Sequence, residues 1–114
     1  MKEIRLTLNP TWFKTTKLGT RKADYRDITP FYCSRLCKNY DPKSTTCRRC
    51  KFDFCRPTPK ADTIHFTLGY PAPNNPDRHL YYRIKEIRKG RGNWLFGATP
   101  SRKQFIIDLE PIEH

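Results

Sequence analysis

A chain of 114 residues with 23 Lys and Arg against 11 Asp and Glu carries a formal charge of +12, and 36% of it is hydrophobic and 13% aromatic. That length excludes a second core and that apolar fraction excludes disorder throughout, leaving one domain with a modest interior. No apolar run approaches the ~18 residues that cross a bilayer, so a membrane partner is not expected, and the basic excess favours a polyanion, nucleic acid first, over a surface that merely keeps the protein dissolved.

Ile4, Leu6 and Leu8 alternate with Arg5 and Thr7, which predicts an opening strand with one buried face rather than a signal peptide. Asn9 and Pro10 form a cap and first helical residue, Trp12 and Phe13 supply an apolar face, and Gly19 suits the stop, so a helix of about two turns is predicted over residues 10–18. The charged segment Gly19-Thr20-Arg21-Lys22-Ala23-Asp24-Tyr25-Arg26 reads as a strand on which Lys22, Asp24 and Arg26 share a face. Thr29-Pro30 repeats the helix start ahead of Phe31, Tyr32 and Leu36. Further strands are predicted at Ile64, Phe66 and Leu68, at Leu80, Tyr82 and Ile84 running on to Ile87 or Arg88, and at Phe105, Ile107 and Leu109 with Gln104 and Asp108 facing outward. Turn-rich sequence fills 71–77, and Gly90-Arg91-Gly92-Asn93 interrupts the pattern again. Five or six strands with two early helices predict an α+β domain built on a small mixed barrel, not a doubly wound sheet.

Residues 38–61 have no sustained periodicity and contain Pro42, Pro57 and Pro59, so they read as an insertion within a single domain spanning 1–114. With neither a membrane span nor a signal peptide read from the sequence, a cytoplasmic setting is expected, and five cysteines in such a reducing compartment, an odd number, argue against a disulfide framework and for metal binding. Cys47 and Cys50 form a C-x-x-C knuckle, and with Cys37 and Cys55 they offer four thiolates for one structural Zn2+. An alternative set takes Cys33 with Cys37, Cys47 and Cys50, since positions four apart share a helical face. The first is preferred because a ligand set belongs with the loop that it orders, and Cys33 then packs as a small apolar residue.

A second basic run, Arg83, Lys85, Arg88, Lys89 and Arg91, leads to Trp94. Cations beside an aromatic ring suit single-stranded nucleic acid, with phosphates on Lys or Arg and a base on the ring. Trp94 as a plug at one end of a barrel, with the charges as a solvated edge, is the competing reading.

The segment from Gly19 to Arg26 resembles the G-x-K-x-x-E-x-R signature of the ASCH superfamily, with Arg21 where lysine is usual and Asp24 where glutamate is usual. Pro30-Phe31-Tyr32 with Arg35-Leu36, the stretch from Ile64 to Tyr70 and the turn from Gly90 to Gly97 look like its phage and bacterial branch. The resemblance covers residues 2–36 and 62–110 and implies a PUA-like β-barrel; together with the second basic run it leads us to expect RNA or a modified nucleoside in a cleft between the strand 19–26 and the turn 90–97, bound by Arg21, Lys22, Asp24, Arg26, Arg88, Arg91 and Trp94. It also implies kinship with amidohydrolases acting on acetylated cytidine and with RNA-cleaving relatives. The lysine and threonine of the hydrolytic members fall at Arg21 and Asp24 here, so catalysis would pass to Asp24 as base with Lys22, and binding is the preferred reading. A purely structural alternative has Asp24 paired with Arg21 or Arg26, tying the strand to the barrel rim.

Overall fold

Alternation at the start of the chain becomes β1 (Glu3–Leu8), whose even residues are buried and odd residues exposed. In the computed structural model, which describes residues 3–43, 57–69, 75–99 and 101–112, it is followed by α1 (Pro10–Lys17), β2 (Ala23–Asp27), α2 (Pro30–Leu36), β3 (Thr63–Leu68), β4 (His79–Gly90) and β5 (Gln104–Pro111). Both helices begin as their sequences dictate. Asn9 Oδ1 accepts from Trp12 N at 2.9 Å and Thr29 Oγ1 from Tyr32 N at 3.3 Å, each with proline as the first helical residue.

The strands form one five-stranded sheet in the order β1-β3-β4-β5-β2, parallel between β1 and β3 and antiparallel elsewhere. The result is an α+β domain with a curled, half-barrel sheet, open where a closed barrel had been expected. Its two edge strands, β1 and β2, approach closely enough for the Arg26 guanidinium to donate from Nη2 to the Thr7 carbonyl at 2.7 Å. A side chain thus spans the gap that a backbone ladder would close.

Phe66, Ile64, Phe105, Ile107 and Leu36 form the centre of the core, with Phe13 from α1 and Cys33 from α2 packed against the concave side of the sheet. Burying each large apolar side chain contributes roughly 1.5–3 kcal/mol. A register shift between Ile84 and Glu86 lets Ile84 and Ile87 both face the core although they are three residues apart. Gln104 lies, as expected, on the face of β5 opposite Phe105 and Ile107, yet it is buried. Its amide accepts from Thr99 N at 2.8 Å and donates to Asp27 at 2.9 Å, so it closes the loop ahead of β5.

The neck of the insertion is closed by an isolated antiparallel bridge between Cys37 and Pro59, with Lys38 N donating to Thr58 O at 2.7 Å and Lys60 N to Leu36 O at 2.9 Å. These contacts hold the described chain before residue 44 against the described chain after residue 56. Cys33 and Cys37 are buried at the end of α2. Cys47, Cys50 and Cys55 lie outside the described residues. Among the described residues no group of three or more His, Cys, Asp or Glu is arranged to hold a metal, and no helix is long and apolar enough to cross a membrane.

Candidate nucleic-acid interface

The signature segment folds into a saturated ionic knot. Asp24, 1% exposed on β2, receives Arg21 Nη2 on Oδ1 and Arg26 Nε on Oδ2, both at 2.7 Å. Arg21, 3% exposed, also donates from Nε to the Phe96 carbonyl at 2.9 Å and from Nη1 to Thr16 Oγ1 at 3.4 Å, and lies 5.3 Å from the Trp12 ring centroid. Gly97 makes this arrangement possible. Its φ is +102°, and a Cβ there would stand 2.9 Å from Trp12 Cε2. Arg26 completes the knot by donating to Thr7 O and to the Tyr32 hydroxyl. Burial alone would lower the Arg26 pKa, but the Asp24 charge and the hydrogen bonds to Asp24 and Tyr32 outweigh it and hold the pKa above its ordinary value.

The carboxylate and guanidinium groups of the signature therefore do converge, and chiefly on one another. Each oxygen of Asp24 thus accepts one arginine N–H, which ties the carboxylate into the fold. Lys22 is exposed just ahead of β2, where its carbonyl accepts from Leu109 N, and it takes no part in the knot.

Next to Arg26 opens a cavity of about 680 Å³ between the outward face of β1, β3 and β4 and the flank of α2. Strand register builds its floor. Arg5, His65 and Tyr81 lie in one cross-strand row, and Thr7, Thr67 and His79 in the next. Tyr81 stacks on His65 with ring centroids 4.3 Å apart at 16°, and is itself 54% exposed, so its outer face is open. From α2 come Phe31 and, one turn later, Arg35, whose guanidinium lies 4.2 Å from the Phe31 ring centroid. The described lining contains Arg5, Arg26 and Arg35 and no carboxylate.

Beneath Tyr81 runs a chain of polar contacts. His65 Nε2 and His79 Nδ1 are 2.8 Å apart, so one nitrogen carries a proton and the other accepts it. His65 Nδ1 is 2.9 Å from Glu3 Oε1, but the carboxylate approaches off the N–H axis, leaving a close electrostatic contact without an aligned hydrogen bond. Burial lowers the His65 pKa, Glu3 partly opposes this, and His79 and Arg5 reinforce it.

Of the residues expected to bind ligand, Arg26 lines this cavity. Arg21 and Asp24 stand behind it in the knot. Arg88 is on the far part of β4, its Nε 2.9 Å from Asp108 Oδ2, and that hydrogen bond is the main cause raising its pKa. Arg91 is exposed. Trp94 is 66% exposed, which removes the barrel-plug reading and leaves its ring at the surface. Sequence reasoning missed Arg5, His65, His79 and Tyr81. A signal for them existed in the alternation of β1, β3 and β4, which assigns these residues to the outward face, but strand pairing was needed to bring them together. No protein-family model, curated protein or solved structure matches this chain.

Proposed function

We propose that the chain is an RNA-binding protein of ASCH-like, PUA-like type, working in the cytoplasm, in which the cavity beside Arg26 takes a nucleotide unit of single-stranded RNA or a modified nucleoside. One observation carries this reading: an open tyrosine ring, backed by a stacked histidine, lies in a cavity whose described lining has three arginines and no carboxylate. A base stacked on such a ring is worth about 1–3 kcal/mol, and exposed guanidinium groups at its edge suit phosphate oxygens. Binding is favoured over hydrolysis because Asp24 is consumed by Arg21 and Arg26. The saturated knot then fixes Arg26 at the cavity wall rather than reacting.

The insertion enters this proposal as a structural element ordered by Zn2+ on Cys37, Cys47, Cys50 and Cys55, with Cys33 as the alternate ligand. Cys37 sits at the closed neck, where a bound metal would join the two ends of the loop. Elemental analysis is expected to give one zinc per chain, lost when Cys47 and Cys50 are both changed to Ser. A metal-free protein with unchanged melting temperature would remove this element.

The test of the binding reading is a salt titration against single-stranded RNA. Each phosphate contact contributes a slope of about −0.7 in log K against log salt for single strands. Binding that weakens along such a line supports the reading. No binding, or equal binding to an acidic polypeptide, would replace it with a basic protein-interaction module.

A further inference from the structure

The cavity beside Tyr81 does not end at Arg5 and Arg35. A second cavity, of about 550 Å³, begins at these two residues and continues along β1 and α2 to Glu3, Ser34 and Lys60. Resting on the RNA-binding reading above, we infer that the ligand is an oligonucleotide whose backbone follows this groove, with a second phosphate subsite at Arg5, Arg35 and Lys60, rather than a single nucleoside.

Geometry and charge carry the inference together. Arg5 and Arg35 belong to both cavities, so the cations form a row from Arg26 through Arg5 and Arg35 to Lys60 instead of one cluster around a single anion. From Thr7 to Glu3 the floor of the groove is four strand residues long, about 13 Å at ~3.4 Å per residue. A nucleic-acid strand carries a phosphate every ~3.4 Å of axis even when compactly helical, so this length takes at least two phosphates in a more extended strand. The aromatic residues lie in the first cavity only: Phe31, Tyr32 and Tyr81 line it, whereas the described lining of the second has none. A base therefore stacks at one end and the sugar-phosphate chain passes along the other, past Lys60, whose Nζ is held by the Ser34 carbonyl at 3.3 Å.

Glu3 is the acidic group facing the second subsite. It lies 3.4 Å from Arg5 Nε and 2.9 Å from His65 Nδ1, so part of its charge is offset within the protein. Its position nonetheless opposes a passing phosphate, which gives a substitution of opposite sign to the removal of a cation.

The experiment compares uridine monophosphate with di- and tetrauridylate by calorimetry at fixed salt. Affinity is expected to rise at least about tenfold from monomer to tetramer by adding phosphate contacts. Lys60→Gln is expected to lower tetramer affinity about threefold to tenfold and to reduce the salt slope by about 0.7, while Glu3→Gln raises tetramer affinity. A folding defect cannot produce that increase. Equal affinity for monomer and tetramer, with neither substitution changing the tetramer, overturns the second subsite and leaves the nucleotide cavity standing. Failure of every uridylate to bind overturns both.

Discussion

Two ionic assemblies lie side by side in this protein and do opposite things. In the Arg21–Asp24–Arg26 knot both carboxylate oxygens are bound at 2.7 Å and four further guanidinium hydrogen bonds go to Phe96 O, Thr16, Thr7 O and Tyr32. In the groove, Arg5 has a long contact with Glu3, Arg35 stacks on a half-open Phe31, and Tyr81 shows one face to solvent. Charge bound internally holds the fold together, with Arg26 also lining the groove, whereas Arg5 and Arg35 are the more exposed charges that a ligand can meet. The residue pattern that looks most like a binding signature in the sequence is therefore tied into the fold, and the groove proposed to take RNA is built by its less conspicuous neighbours.

The sharpest way to break this contrast is to substitute one residue from each side. Asp24→Asn leaves the buried Arg21 guanidinium without its counter-charge, and breaking a buried pair costs about 3–5 kcal/mol. For a domain this size that is a large share of the total stability, and each kcal/mol lowers the melting temperature by roughly 4–8 °C. Arg35→Ala, on the groove side, is expected to change stability by less than ~0.5 kcal/mol. Thermal denaturation of the two variants checks this. Equal, small losses would mean that the knot is not what ties β2 to β1.

A smaller effect sharpens the groove side. His65 has a folded pKa below its ordinary 6.5, chiefly through burial, so the folded state favours the neutral ring. Its contribution is fully present above about pH 6.5 and is lost as pH falls through the depressed folded value, because the unfolded chain takes up the proton first. Urea midpoints measured from pH 8 to pH 5 should fall across that window in the native protein and fall less in His65→Gln. The same decline in both would place the titration elsewhere.

How much of this was legible in the sequence depends on the range of the interaction. Asn9-Pro10 and Thr29-Pro30 announced their helices because a cap is a contact over three residues, and the alternation in β1 gave its buried face directly. The bulge at Ile84/Glu86 was hidden because one inserted residue shifts the period without any compositional mark. A pair of Asp24 with Arg21 or with Arg26 was readable as a structural alternative, but not that Asp24 holds both at once, which depends on the turn after α1, where Thr20 N and Arg21 N both donate to Thr15 O. The row Arg5-His65-Tyr81 draws on three strands separated by up to 76 positions, and only the sheet order brings it together. The face of Gln104 was legible in the alternation of β5, but its burial was not, because that comes from the Thr99 amide and Asp27 closing over it.

The most direct test sets the two exposed aromatic residues against each other. Titrate a short single-stranded RNA into the Tyr81→Ala and Trp94→Ala proteins at one salt concentration. Loss of a stacked base at Tyr81 predicts a drop in affinity of about 5- to 150-fold, following from ~1–3 kcal/mol per base, with less than a twofold change for Trp94→Ala. A large loss at Trp94 with none at Tyr81 would contradict the account and move the interface to the opposite end of β4.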